Sequence, residues 1–117
     1  MSEVIVYANS VLRSYCQIKL DSGERVLISI LSNRKAGVKV MKLSLFGFWP
    51  TATLWEYTPT KAGGEETFFQ NMIAMFPDTL SAERRHPLDI VCERLLLCKS
   101  TAEVRTSLQQ AERSLAA

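Results

Sequence analysis

The sequence predicts an α+β fold: a bent antiparallel β meander of about four to five strands, small-barrel-like, followed by two or three C-terminal α-helices packed on it. Two observations carry this. Residues 15–31 hold two alternating apolar runs joined by a tight-turn sequence, and after Thr58 the apolar period changes from that of a strand to that of a helix. With 117 residues and a hydrophobic fraction of 47%, the chain is the size of one domain and long enough to bury a core without disulfide or metal staples. A single domain over residues 1–117 is expected, β-rich over about 1–58 and helical over about 65–117.

Residues 4–12 mix apolar and polar positions and fit a first strand or a short helix equally. Residues 15–20 alternate, with Cys16, Ile18 and Leu20 on one face and Tyr15, Gln17 and Lys19 on the other. Residues 25–31 alternate too, with Val26, Ile28 and Ile30 on one face. Asp21-Ser22-Gly23 between them suits a type I turn with Gly23 in the left-handed position. A polar turn follows at 32–37.

The third run slips phase. Val38 and Val40 fall on one face and Met41, Leu43 and Leu45 on the other, which predicts a β-bulge or sharp coil near Val40 and Met41. Pro50 cannot donate to a ladder, so residues 46–50 break it, and the run 51–58, rich in Thr, Trp and Tyr, resumes as a fourth strand.

The stretch 58–64 reads as a loop. Beyond it Phe68, Phe69, Met72, Ile73 and Phe76 form a helical stripe, opened by Glu65 and Glu66 and stopped by Pro77. A second helix starts at His86-Pro87, with proline at its favoured first position and Leu88, Val91, Leu95 and Cys98 as one stripe. Ser100-Thr101-Ala102-Glu103 is a capping box for a third helix, whose narrow stripe is Val104, Leu108, Ala111 and Leu115.

The net charge of +2 points to no nucleic-acid or membrane partner by itself. Its distribution is uneven. Residues 13–49 carry seven basic side chains (Arg13, Lys19, Arg25, Arg34, Lys35, Lys39, Lys42) against Asp21 and Glu24, a balance of +5, whereas residues 61–117 carry seven basic and eight acidic, a balance of −1. Lysines on exposed strand faces also guard sheet edges against stray pairing, which accounts for the asymmetry without a ligand. The apolar run 43–49 is about a third of a bilayer span, and no secretory pattern opens the chain. Three cysteines in no framework spacing read as free thiols, so a soluble cytoplasmic protein is expected.

Catalytic constellations are hard to assemble from these residues. His86 is the one histidine, and its place before Pro87 suits a helix cap better than a general base. Cys92 and Cys98, six positions apart, fall on different sides of a helix of about 3.6 residues per turn, which makes no zinc pair. Glu65 and Glu66 follow the glycines of 61–66 and would repel a phosphate. No cofactor or metal is expected.

Two surfaces remain as binding candidates. One is the aromatic cluster Phe46, Phe48, Trp49, Trp55 and Tyr57 around the strand break, which reads either as a core corner or as a groove for a peptide or another subunit. Lys39, Lys42, Arg34 and Lys35 nearby would let such a groove take an anionic partner or a single-stranded nucleic acid, by stacking with Trp49 or Tyr57 and contacting phosphates. The other is the third helix, whose thin stripe suits peripheral packing or pairing with a second copy equally.

In layout the chain resembles small barrels of the SH3-like or PH-like kind. That resemblance implies a fold only, since no residue-level motif comes with it. The expected function is a non-enzymatic, cytoplasmic protein-binding or self-assembly module, engaging a protein partner or forming a homodimer. The alternative is a nucleic-acid-binding module using the basic β half. A small-ligand-binding protein or enzyme, with a pocket between sheet and helices, is the third reading.

Overall fold

The computed structural model describes residues 1–9, 14–31, 37–58, 64–76 and 86–116. Five strands come first: β1 (Glu3–Asn9), β2 (Ser14–Lys19), β3 (Arg25–Leu31), β4 (Gly37–Leu43) and β5 (Pro50–Tyr57). Three helices follow, α1 (Gly64–Met75), α2 (Pro87–Leu95) and α3 (Thr101–Ala116). The strands pair antiparallel in chain order, β1-β2-β3-β4-β5. The sheet is open rather than barrel-like, with β1 and β5 at its two edges. The expected turn at 32–36, the loop at 59–63 and Pro77 as the stop of the first helix lie outside the described residues.

The helices cover one face of the sheet. Cys16 and Ile18, Val26 and Ile28, and Val38 and Val40 project from the three central strands into a single core, and meet Phe68 and Met72 of α1, Leu88, Val91 and Leu95 of α2, and Val104 and Leu108 of α3. In-register pairing lines these apolar side chains up: Cys16 stands opposite Ile28, and Ile28 opposite Val40. Helix α2 packs over β2 and β3, α3 over β5, and α1 against the other two helices. All four members of the α3 stripe turn inward, with Val104, Leu108 and Ala111 buried and Leu115 packed against the core.

Local chemistry sets each boundary. In the β2–β3 turn the Gly23 amide donates to the Leu20 carbonyl at 2.9 Å, and Leu20 and Glu24 close the hairpin at 2.8 Å. Gly23 has φ +91°, the left-handed conformation that the turn sequence predicts. His86 caps α2, accepting the Leu88 amide on Nδ1 at 3.1 Å with Pro87 behind it. Ser100 Oγ accepts from the Glu103 amide at 3.4 Å, but Glu103 Oε2 reaches the Lys99 amide at 2.8 Å rather than that of Ser100. The capping box is therefore half formed, and the first amide of α3 is left for another acceptor, Glu24.

Register slips lie on the edge strands. Ile5 is an extra residue in β1 between the pairs Val4–Ile18 and Val6–Gln17. In β5 Leu54 is extra between Trp55–Val40 and Thr53–Met41, and Thr51 is extra between Ala52–Lys42 and Pro50–Leu43. The irregularity expected at Val40 and Met41 is thus present, but its additional residue sits in β5. Strand β4 keeps unbroken register with β3 from Val26–Lys42 to Leu31–Gly37. Bulges at both edges twist them away from stray strand pairing.

Candidate functional site

The five clustered aromatics separate into two groups. Trp55 and Tyr57 lie on the helix-covered side, stacked on each other at 6.1 Å between ring centroids, and Tyr57 stacks in turn on Phe68 of α1 at 6.4 Å. Trp55 is buried, its Nε1 donating to Glu112 Oε2 of α3 at 3.1 Å, and the Tyr57 hydroxyl accepts from Asn71 Nδ2 at 2.7 Å. These two residues join sheet to helices. For Trp55 this is the core-corner arrangement, because its ring is buried where α3 packs on β5.

Phe46, Phe48 and Trp49 are instead displayed on the β4–β5 hairpin together with Leu45, at 68%, 77%, 59% and 73% exposure respectively. The loop that carries them is tightly bonded. Ser44 N donates to the Trp49 carbonyl and Gly47 N to the Ser44 carbonyl, both at 2.8 Å, while Ser44 Oγ accepts from the amides of Phe48 at 3.1 Å and Trp49 at 3.4 Å. Gly47 has φ +78° and lies so close to the sheet that a Cβ there would stand 2.9 Å from Gln17 Oε1 and 3.3 Å from Arg25 Cδ. Glycine is thus demanded twice, by conformation and by contact. Phe46 and Phe48 are 6.2 Å apart between centroids, and Phe48 and Trp49 likewise.

The two tryptophans report this division directly. Acrylamide is expected to quench Trp49 strongly and Trp55 weakly. Trp49→Phe should remove the accessible emission and leave a blue-shifted, protected remainder. Unchanged quenching in that variant would place the wrong tryptophan at the surface.

The basic residues are also divided. Lys42 Nζ lies 3.2 Å from Glu24 Oε2, towards the start of α3. Lys39 stands opposite Glu56 on β5, on the face that the helices leave uncovered. Arg34 and Lys35 lie outside the described residues. The two described lysines therefore do not flank the exposed aromatics as one cationic track.

Glu24, beside the β2–β3 turn, is a heavily bonded charged group. Its Oε1 accepts from the Thr101 amide at 3.0 Å and from Ser22 Oγ at 2.8 Å, and its Oε2 from Thr101 Oγ1 at 2.7 Å. The Thr101 bonds hold its carboxyl down at about 2, far below the usual carboxylate range. Neighbouring bonds reinforce this clasp: the Ser22 amide donates to the Lys99 carbonyl at 2.9 Å and Ser2 Oγ to the Cys98 carbonyl at 2.7 Å. The sequence shows only an acidic turn residue here. Its partner is 77 positions away, and no local pattern announces it.

Among the described residues, no group of three or more His, Cys, Asp or Glu side chains is placed to hold a metal ion. His86 is engaged as a helix cap, and burial pushes its imidazole below the ordinary value. An open depression of about 310 Å³ runs along α3, lined by Ala102, Glu103, Thr106, Ser107 and Gln110; all five come from one helix rather than from the junction of sheet and helices. No described helix is long and apolar enough to cross a membrane.

Comparison with protein-family models, with curated proteins and with solved structures gave no match.

Proposed function

We propose that this chain is a non-enzymatic binding module that engages a protein partner, either another protein or a second copy of itself, through the β4–β5 hairpin. The observation that carries the reading is the set of four exposed apolar side chains, Leu45, Phe46, Phe48 and Trp49, on a loop fixed by Ser44 and Gly47. Contiguous apolar surface on an ordered element costs solvation in the free protein and marks a contact site. A rigid loop loses little conformational freedom on binding, so more of the aromatic burial is realised as affinity. Tryptophan and phenylalanine in such a position act as anchors for a pocket on the partner. The α3 stripe supports the hairpin over the third helix as the contact, because its apolar side chains face the core of the same chain.

Substituting Phe46, Phe48 and Trp49 together with serine tests this. The exposed positions should change unfolding free energy by less than about 1 kcal/mol. The variant should lose any concentration-dependent sedimentation of the wild type, or lose partners that the wild type captures and that rebind it when purified. A wild type that stays monomeric at high concentration, and shares every captured partner with the variant, would sink the proposal. Oligonucleotide titration at low salt separates the nucleic-acid alternative, whose binding must weaken steeply as salt rises.

A further inference from the structure

Cys16 and Cys92 meet in the core where α2 crosses β2, with their Sγ atoms 3.2 Å apart and both side chains buried. Strand and helix present the thiols to each other from positions 76 apart in the chain. The third cysteine, Cys98, is turned away, its Sγ donating to the Arg94 carbonyl at 3.8 Å. All three are free thiols. Two buried thiols in contact differ from two buried apolar side chains in one respect: removing two electrons and two protons joins them, and the packing already supplies the encounter.

We propose that Cys16 and Cys92 form an oxidisable dithiol that hydrogen peroxide converts to a disulfide bond between β2 and α2. The Cys92 sulfur attacks one peroxide oxygen. The O–O bond breaks, the thiol proton leaves with the departing hydroxide as water, and Cys92 becomes a sulfenic acid. The Cys16 sulfur then attacks Cys92 Sγ. The S–S bond forms as the S–O bond breaks, and the hydroxyl leaves as a second water with the proton of Cys16. One peroxide is reduced to two waters and two thiols are oxidised to one disulfide. The order of roles follows from exposure, since Cys16 has no accessible surface and Cys92 retains some, at 0% against 6%. The contact shared by the two sulfurs, in which either can donate, lowers the Cys92 thiol against burial and the carboxylates of Asp89 and Glu93, and together with burial raises Cys16. This inference does not depend on the hairpin reading.

Mass spectrometry of the full chain tests it. After hydrogen peroxide treatment in native buffer and alkylation of the remaining thiols, the alkylatable cysteines should fall from three to one. Peptide mapping should join Cys16 to Cys92, and dithiothreitol should restore all three. Cys98→Ser should keep the crosslink, whereas Cys16→Ser and Cys92→Ser should each lose it. The same treatment in concentrated urea should shift the product towards Cys92–Cys98, because the shorter loop closes at lower entropic cost. Three alkylatable thiols in the native chain, under conditions that oxidise the unfolded one, would overturn the proposal. So would a native crosslink through Cys98, or a Cys92 that stops at sulfinic acid.

Discussion

Replacing Leu108 with alanine is expected to cost the fold about 3 kcal/mol, with a spread of roughly 2–5 set by how far the cavity collapses. Leu108 has no exposed surface and lies midway along a stripe whose other members are Val104, Ala111 and Leu115. The stripe is narrow, so little neighbouring apolar mass can move in to fill the space. Small Ala111 has a place in this geometry: it is buried and directly precedes Glu112, whose carboxylate receives the Trp55 indole at 3.1 Å, and α3 packs on β5 there. Urea unfolding at two protein concentrations measures the effect. A loss that does not change with concentration is expected, because the contacts are within one chain. A loss below about 1 kcal/mol, or one that grows on dilution, would return α3 to the role of an intermolecular helix.

Glu24→Gln is expected to destabilise the fold by about 2 kcal/mol at neutral pH. The carboxyl is held at about 2 against an ordinary 4.5, a difference corresponding to roughly 3 kcal/mol before solvent is considered. The side chain is 26% exposed, so water screening reduces that figure. The sign follows from the direction of the shift. A carboxylate whose folded pKa is depressed contributes its stability fully above the unfolded value and loses it as pH falls through the folded one. Wild type and variant should therefore differ most above about pH 5 and converge as pH approaches 2. A difference that stays constant from pH 7 to pH 2 would show that the glutamate acts through shape alone. Thr101 is the donor to follow in parallel, since it supplies both an amide and a hydroxyl to this carboxylate.

The clearest parts of the chain are those where local pattern and tertiary demand agree. The β2–β3 hairpin is legible because Cys16, Ile18, Val26 and Ile28 alternate towards the covered face and Gly23 supplies the left-handed turn residue. The three helices are legible because each carries an apolar stripe at helical spacing and two of them have recognisable caps. Residues 4–12 are ambiguous in sequence for a physical reason: the extra Ile5 shifts the phase of alternation within a seven-residue strand. A central strand cannot easily absorb such a shift, because it must match two neighbours at once. Strand β4 therefore holds its register with β3, and the slip at Val40 and Met41 is taken up by β5, whose far edge is unpaired.

The candidate site was less legible than the fold. Sequence proximity groups Trp49 with Trp55, yet six positions separate an exposed hairpin tip from the core, with Pro50 and two bulges between them. Lys42 reads as a solvated cation until Glu24 is found 3.2 Å away. The Cys16–Cys92 contact was least accessible. Both residues lie on apolar faces, but only the docking of α2 over β2 and β3 brings them together.

The strand order has a consequence for synthesis. Each strand pairs with the one made just before it, so the sheet can assemble as the chain leaves the ribosome, without waiting for distant segments. Its cover cannot, because every described helix comes after Tyr57. Until α1, α2 and α3 emerge, Ile18, Val26, Ile28, Val38 and Val40 form an unshielded apolar face on a completed sheet. The nascent chain therefore passes through an interval of high aggregation risk that ends only when α3 lays Val104 and Leu108 into the core. Chaperone demand should be concentrated in that interval, and truncation before α3 should prolong it indefinitely.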